Sequence, residues 1–425
     1  MKLTVKPAAQ LKARFRCPGS KSYSIRAFII AACGGVSVVK NPSDCDDALV
    51  AMKLAKTLGS RVKPISSQSF EITANLKKFN KSMVDVAESG TALRFILPLL
   101  SLEKKDVVVN GTGTLVGRPN VHLTETLRQM GVDVKGRGSK ESVPIKIKSS
   151  ELSGSRQEID GSLSSQFISA LLIACPQISE DTFLFLKGKK LVSSDYILMT
   201  RQILQKTGVR ITAKGARQYL IKGNQTFKGL KNFDVPTDFG LAAFHLAAGS
   251  LIKSDLVLEG NWDKNFVQAD GHILRFLRKM GVCFKESKKA IRIKGPFQLK
   301  GGTFSLADCP DLVPIMSILA LFAKSKTRLT NIAHARAKES DRISDLRDEL
   351  LKIGADVSEK QNELIINPLQ EYKANCLLDP HHDHRLAMAF AVLGLKIGVK
   401  IKDVECTSKS YPGFVKDFKS LIAKY

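Results

Sequence analysis

One repeat constrains this chain more than any other feature. An apolar helical pattern opened by a polar or charged residue occurs six times. The instances are "SKSYSIRAFIIAACG" from Ser20, "SGTALRFILPLLSL" from Ser89, "SSQFISALLIAC" from Ser164, "TDFGLAAFHLAAGS" from Thr237, "PDLVPIMSILALFA" from Pro310 and "DHRLAMAFAVLGL" from Asp383. Successive starts lie 69, 75, 73, 73 and 73 residues apart. A second signal keeps the same step: an amphipathic stretch closes on a glycine at Gly59, Gly131, Gly208, Gly281 and Gly354, spaced 72, 77, 73 and 73 residues apart. Glycine at that position is the expected left-handed cap of a helix. Two independent signals sharing one period define six structural repeats. In each, a helix that is apolar nearly all round must be buried, and a helix with one polar face lies against it. Runs such as "VVVNG" and "LVLEG" supply the strands between them. The chain is therefore α/β with helices inside. No glycine-rich nucleotide fingerprint follows a strand, which argues against a Rossmann domain.

With 425 residues, 44% of them hydrophobic and 25% charged, the chain is long enough for two or three globular domains. No uninterrupted apolar run has the length of a membrane span, and "MKLTVKPAAQLKARF" lacks the apolar core of a signal peptide. Eight cysteines without a CxxC pair read as reduced thiols of a cytosolic protein. The formal charge of +26 has two readings. A nucleic-acid binder clusters its cations and interleaves aromatic residues for stacking. Here lysines are dispersed along the chain and a single Trp is present, as on a solvated surface. A small cationic set around an anionic substrate would be hidden in that total. Charge alone separates neither reading.

The helix openings carry more information. A helix N-terminus presents unpaired N–H groups and the positive end of a dipole, and so collects anions. Lys21, Ser22 and Arg26 fall at the first opening, Arg94 just inside the second, and Ser164, Ser165 and Gln166 at the third. Asp238, Asp311 and the pair His384 and Arg385 fall at the last three. The second helices open with "GRPN" carrying Arg118, "SSDY" carrying Ser193 and Tyr196, "RAKESDR" carrying Lys338, Glu339 and Arg342, and "KSYPGF" after Lys409. Ser, Thr and Asp there are also what ordinary capping requires. Capping does not call for cations at a helix start, where the dipole disfavours them. Lys21, Arg118, Arg342, Arg385 and Lys409 therefore point to a bound polyanion, a small substrate bearing phosphate and carboxylate groups.

In order along the chain, "PGSKSYSIRA", "SGTALRF", "GRP", "SSQFISALL", "RAKESDRI" and "DHRLAMAFAVLG" resemble the signatures of the 5-enolpyruvylshikimate-3-phosphate synthase family. The resemblance runs from Lys21 to Lys409. It implies a two-domain inside-out α/β fold with six repeats of a βαβαββ unit, three per domain, and a hinged cleft. It places residues 1–17 and 236–425 in one domain and 18–235 in the other, the first strand belonging with the C-terminal half.

The implied reaction transfers the enolpyruvyl group of phosphoenolpyruvate to the 5-hydroxyl of shikimate 3-phosphate through a tetrahedral ketal, releasing phosphate. By the same resemblance Lys21, Gly90, Arg118, Gln166, Arg342, Arg385 and Lys409 line the phosphoenolpyruvate position; arginine suits bidentate contacts to phosphate and carboxylate. Lys21, Ser22, Arg26, Ser164, Ser165, Gln166, Ser193, Tyr196, Asp311 and Lys338 would hold shikimate 3-phosphate. Lys21, Asp311 and Glu339 would carry the chemistry, the two carboxylates as an acid/base pair whose protonation depends on how burial competes with nearby cations. "DPHHDHR" reads as an anion clamp built on Arg385 rather than a metal site, His381 and His382 lying outside the matching motif. No cofactor, metal, nucleic acid or membrane is implied, and a monomeric cytoplasmic enzyme is expected. The chain departs from better-known members at Glu88 and Ser89, where they read Asn-Ala or Asn-Ser, and at Phe95, where some read Pro. Glyphosate competes for the phosphoenolpyruvate position in this family. The sister UDP-N-acetylglucosamine enolpyruvyl transferases share the fold, and "GTGTLVGRP" looks like their mobile loop. That loop usually carries a cysteine where this chain has Gly113, and those enzymes lack the "SKSxSxRA" and "KESDR" motifs. RNA 3′-terminal phosphate cyclases share part of the fold, need only four repeats, and would use the positive charge.

Overall fold

The helices alternate between two kinds along the whole chain. In the computed structural model, which describes residues 1–74, 79–188 and 191–422, they come in pairs: α1 (Lys21–Ala31) and α2 (Asp46–Thr57), α3 (Gly90–Ser101) and α4 (Val121–Gln129), α5 (Ser165–Ala174) and α6 (Ser194–Lys206). Then follow α7 (Phe239–Leu251) and α8 (His272–Lys279), α9 (Val313–Leu321) and α10 (Ser344–Lys352), α11 (His384–Ile397) and α12 (Phe414–Ser420). The first of each pair is sunk in the core; every residue of α7 and α9 is buried. The second buries one face only, as its amphipathic sequence dictates. Gly59, Gly131, Gly208, Gly281 and Gly354, which follow α2, α4, α6, α8 and α10, have φ of 89°, 92°, 90°, 93° and 77°. These are left-handed C-caps, where a Cβ would strain the backbone.

Among the described residues, four of the six buried helices, α3, α5, α9 and α11, are crossovers between two parallel strands of one sheet. Met83–Asp85 and Val107–Asn110 flank α3, Arg156–Asp160 and Thr182–Lys187 flank α5, Gly302–Ser305 and Thr327–Thr330 flank α9, and Cys376–Leu378 and Val399–Ile401 flank α11. The repeats built on α1 and α7 exchange their leading strands. Leu11–Arg16, which precedes α1, pairs in parallel with Ser254–Glu259 after α7. Lys231–Asp234, which precedes α7, pairs in parallel with Val36–Lys40 after α1. Two antiparallel strands complete five of the sheets, and Leu3–Val5 completes the sixth. Among the described residues this gives five four-stranded sheets and one of three strands.

The chain divides into two compact units, Met1–Gly19 with Pro236–Tyr425 and Ser20–Val235. Both divisions fall just after the exchanged strands, so among the described residues each unit owns three sheets and six α-helices. No helix among the described residues is long and apolar enough to cross a membrane. Stability resides in the buried helices. Ile318 on α9 is fully buried, and Ile318→Ala is expected to cost about 2–5 kcal/mol in chemical denaturation, cavity included. A loss under about 1 kcal/mol would mean that α9 is less tightly packed than its burial indicates.

Candidate active site

Polar side chains gather at the helix openings of each unit, and the two gatherings are built differently. In the unit Ser20–Val235, Lys21 is the first residue of α1, behind the N-cap Ser20. Its Nζ donates to Asp47 Oδ2 at 3.0 Å, a carboxylate in the first turn of α2. Arg26, one turn along α1, is 1% exposed. Its guanidinium donates to Thr200 Oγ1 and to the carbonyls of Ser22 and Tyr196, and lies 5.1 Å from the Phe95 ring and 5.7 Å from the Tyr196 ring. Burial, opposed by Tyr196 and Tyr23, pushes it down to about 10, so it stays a cation at neutral pH. The contacts tie α1 to α6, where Ser193 is buried in a left-handed conformation and Tyr196 is half-buried.

A second network joins α3 to α5. Arg94, 3% exposed, donates from Nε to Asn120 Oδ1 at 2.8 Å, from Nη1 to Gln166 Oε1 at 3.2 Å and from Nη2 to the Pro119 carbonyl at 3.1 Å. Gln166 Nε2 in turn donates to Thr91 Oγ1 at 2.9 Å. A Cβ on Gly90, the first residue of α3, would stand 2.4 Å from Arg94 Nη1 and 2.9 Å from Arg118 Nη1. Only glycine lets both guanidinium groups approach this helix end. Ser164 caps α5 by accepting from Gln166 N at 3.2 Å, which leaves its own hydroxyl proton to donate. Ser165 beside it is buried. Two residues that depart from the resembled signatures have a local reason. Glu88 accepts from Thr114 N and Oγ1, pinning the turn that leads to Arg118. Phe95 lies under Arg26 as a cation–π partner.

In the unit Met1–Gly19 with Pro236–Tyr425, Arg342 is the hub. It is 1% exposed and donates to three carboxylates: Asp311 Oδ1 at 2.6 Å, Asp383 Oδ2 at 2.6 Å and Glu339 Oε2 at 2.8 Å. Asp311 lies in the 3-10 turn Pro310–Leu312 ahead of α9 and also meets Arg385 Nη2 at 2.8 Å and Lys338 Nζ at 3.8 Å. Burial works against its ionisation, but Arg385, Arg342 and Lys338 outweigh it and hold the carboxyl well below the usual carboxylate range. Asp311 is thus an ionised, desolvated carboxylate. Asp383 caps α11 through Arg385 N at 2.8 Å while holding Arg342. His384 is buried on α11, and Lys409, 6% exposed, ends the 3-10 turn Val404–Lys409 that packs on that helix. Burial and Lys338 push the nearby His334 imidazole down to about 3, so it is neutral at working pH.

The structure corrects the argument from misplaced cations. Only Lys21 and Arg385 lie in a helical first turn; Arg118, Arg342 and Lys409 precede α4, α10 and α12. Carboxylates already meet at least three of the five: Asp47 meets Lys21, three acids meet Arg342, and Asp311 meets Arg385. Helix starts are therefore not left with bare charge. His381 and His382 form a left-handed turn before α11 and face Glu349 and Asp403 respectively. Among the described residues no group of three or more His, Cys, Asp or Glu side chains is arranged to hold a metal ion. Asp47, Asn120 and Asp383 are not among the residues the sequence marks for the site, and Thr91 and Arg94 gain their parts only through Gln166 and Asn120. The signal for Asp383 was present in "DHR", where the acid before the cation is also the N-cap.

Helices packed inside six small sheets, with cations and carboxylates gathered at their openings, define an inside-out α/β fold. The enolpyruvyl transferase NikO from Streptomyces tendae has this fold, with a TM-score of 0.78 at 16% identity over 100% of this chain and 98% of that one. EPSP synthase from Acinetobacter baumannii matches with a TM-score of 0.80 at 25% identity, over 99% of this chain and 98% of that one. A family model described as EPSP synthase (3-phosphoshikimate 1-carboxyvinyltransferase) matches residues 5–418. The 3-phosphoshikimate 1-carboxyvinyltransferases of Methanococcus maripaludis and Clostridium perfringens are each 34% identical to the chain, over 99% of it and 98% of their own length. The chain belongs to the EPSP synthase family.

Proposed function

We propose that this protein transfers the enolpyruvyl group of phosphoenolpyruvate to the 5-hydroxyl of shikimate 3-phosphate and releases phosphate, a step toward aromatic amino acids. Family membership across residues 5–418 supports the reaction. The observation that carries the mechanism is Asp311, a desolvated carboxylate kept ionised by Arg342, Arg385 and Lys338. An ionised carboxylate can accept a hydroxyl proton. In the addition step the 5-hydroxyl oxygen bonds to C2 of phosphoenolpyruvate, its proton passes to Asp311, and the methylene carbon takes a proton from Glu339. The ketal then returns a proton from that carbon to Glu339, now the carboxylate, the double bond re-forms, the C2–O bond to phosphate breaks, and the proton held by Asp311 leaves with the phosphate. Lys21 neutralises the departing phosphate.

In this reading Lys21, Arg118, Arg342, Arg385 and Lys409 meet the phosphate and carboxylate of phosphoenolpyruvate, with Gly90 and Gln166 beside them. Ser22, Ser164, Ser165, Gln166, Ser193, Tyr196, Asp311 and Lys338 meet shikimate 3-phosphate. The Arg26 bonds to Ser22 and Tyr196 give it a supporting part in that set, and Arg94 supports Gln166. The reading carries with it a monomeric cytoplasmic enzyme that needs no cofactor and no nucleic acid. Gly90→Ala is expected to raise KM for phosphoenolpyruvate about 10–100-fold, because its Cβ would push Arg94 and Arg118 aside and small misplacements are costly. Steady-state kinetics check this, and an unchanged KM would remove Gly90 from the set. The function itself is tested by phosphate release from phosphoenolpyruvate with shikimate 3-phosphate, beside a parallel reaction with UDP-N-acetylglucosamine. Release with the first acceptor alone is expected; release with the sugar nucleotide alone overturns the assignment.

A further inference from the structure

One buried carboxylate takes no part in the chemistry above. Asp270 lies in the 3-10 turn Ala269–Gly271 ahead of α8 and is 6% exposed. Its Oδ2 is 3.6 Å from Arg385 Nη2, while its Oδ1 is buried without a hydrogen-bond partner among the described residues. Gly240, in the first turn of α7, explains how these groups meet. A Cβ there would stand 2.3 Å from Asp270 Oδ2, 2.9 Å from Arg385 Nη1 and 3.1 Å from Asp238 Oδ1. The Gly240 carbonyl accepts from Arg385 Nη1 at 3.4 Å. The charged groups facing Asp270 are Arg385 on α11, Asp311 ahead of α9, Asp238 at the cap of α7 and Lys338 ahead of α10. Arg385 is thus shared unequally: Asp311 holds it at 2.8 Å and Asp270 more loosely at 3.6 Å.

An anion seated on Arg385 would compete with its two carboxylates for one guanidinium. Asp270, the more weakly held, would then face Asp311, Asp238 and the new anion inside a desolvated pocket, where a second negative charge is costly. We propose that Asp270 is a positioning residue for Arg385 and takes up a proton when an anionic ligand is seated there, so that anion affinity is coupled to pH. This rests on the reading above that Arg385 holds an anionic group of the substrate. Burial, helped by Asp311 and Asp238 and opposed by Arg385 and Lys338, raises the Asp270 carboxyl to about 7, which puts the exchange in the working range. The sign follows from linkage: a ligand that raises the group's proton affinity binds more weakly as pH rises through its free-state value.

The test compares the wild type with Asp270→Asn, first through KM for phosphoenolpyruvate at saturating shikimate 3-phosphate across neutral pH. The ionisation of phosphoenolpyruvate itself is common to both proteins and cancels in their ratio. The wild-type KM is expected to climb relative to the variant by up to about tenfold per pH unit above neutrality, one proton per ligand. A pH-independent ratio overturns the proposal and leaves the assigned reaction standing. The second arm needs no turnover and survives failure of that assignment. Sulfate, which does not titrate near neutrality, is added to each protein in two buffers of different protonation enthalpy, and proton uptake is read by calorimetry. Uptake of up to one proton per sulfate by the wild type, absent in Asp270→Asn, is expected. No uptake by the wild type, or equal uptake by both, overturns the coupling.

Discussion

Asp311→Asn is expected to lower kcat by about two to four orders of magnitude, the usual worth of a positioned general base. The fold should be retained, since the amide keeps the shape of the side chain and α9, which follows it, is buried along its whole length. The pH profile separates this role from a structural one. Arg385, Arg342 and Lys338 hold Asp311 well below the ordinary carboxylate range in spite of its burial. In the free enzyme it is therefore ionised throughout the neutral and mildly acidic range, and any acid limb in wild-type kcat/KM above about pH 4 must belong to another group or to the substrates. The stability that Asp311 gains from its partners is present above its unfolded value near ~3.9 and is lost as pH falls through the lower folded value. Single-turnover measurements on the variant check the first claim. A rate within about tenfold of wild type would remove Asp311 as the base.

Arg342→Ala is expected to be the most destabilising single substitution in the site. Arg342 is the cation on which Asp311, Glu339 and Asp383 converge, at 2.6, 2.8 and 2.6 Å. Its removal leaves three carboxylates facing one another with little water, and breaking one partner out of a buried ionic cluster costs about 3–5 kcal/mol. Mutual repulsion between carboxylates left without their shared cation then disfavours their ionised forms in the folded state. Groups disfavoured in that way penalise folding at neutral pH, and the penalty is relieved as they take up protons at lower pH. The variant should thus regain stability on mild acidification, opposite in sign to the Asp311 contribution in the wild type. Denaturant melts at neutral and mildly acidic pH would show it. Parallel pH trends in the two proteins would mean that the carboxylates are not held together by Arg342.

The buried helices were legible in sequence because a helix that is apolar on every side has nowhere to go but the core. The capping glycines were legible because a left-handed residue selects for a missing Cβ. The exchange of Leu11–Arg16 and Lys231–Asp234 between sheets was not. A strand's alternation records which face is buried but not which neighbour it pairs with, and only the resemblance suggested the first strand's destination. At the site, the cations were visible as residues out of place at helix starts, whereas their partners were invisible. Asp47 lies 26 residues from Lys21, and Asp383 lies 41 from Arg342. Neither acid looks unusual where it stands, since Asp in the first turn or at the cap of a helix is ordinary. Counting charge along the chain therefore overstated the anion that a ligand must supply. Asp270 escaped for the same reason, its proximity to Arg385 depending on Gly240, a residue with no charge to notice.

The central claim is that this chain builds an enolpyruvyl ether by addition and elimination, with a proton delivered to the methylene carbon and later removed. One reaction tests it most directly: phosphoenolpyruvate and shikimate 3-phosphate with the enzyme in deuterated water, followed by proton and phosphorus magnetic resonance. The account predicts the enolpyruvyl product and inorganic phosphate in equal amounts, with solvent deuterium appearing at the vinyl methylene. No product, or a product whose methylene has exchanged nothing with solvent, would contradict it.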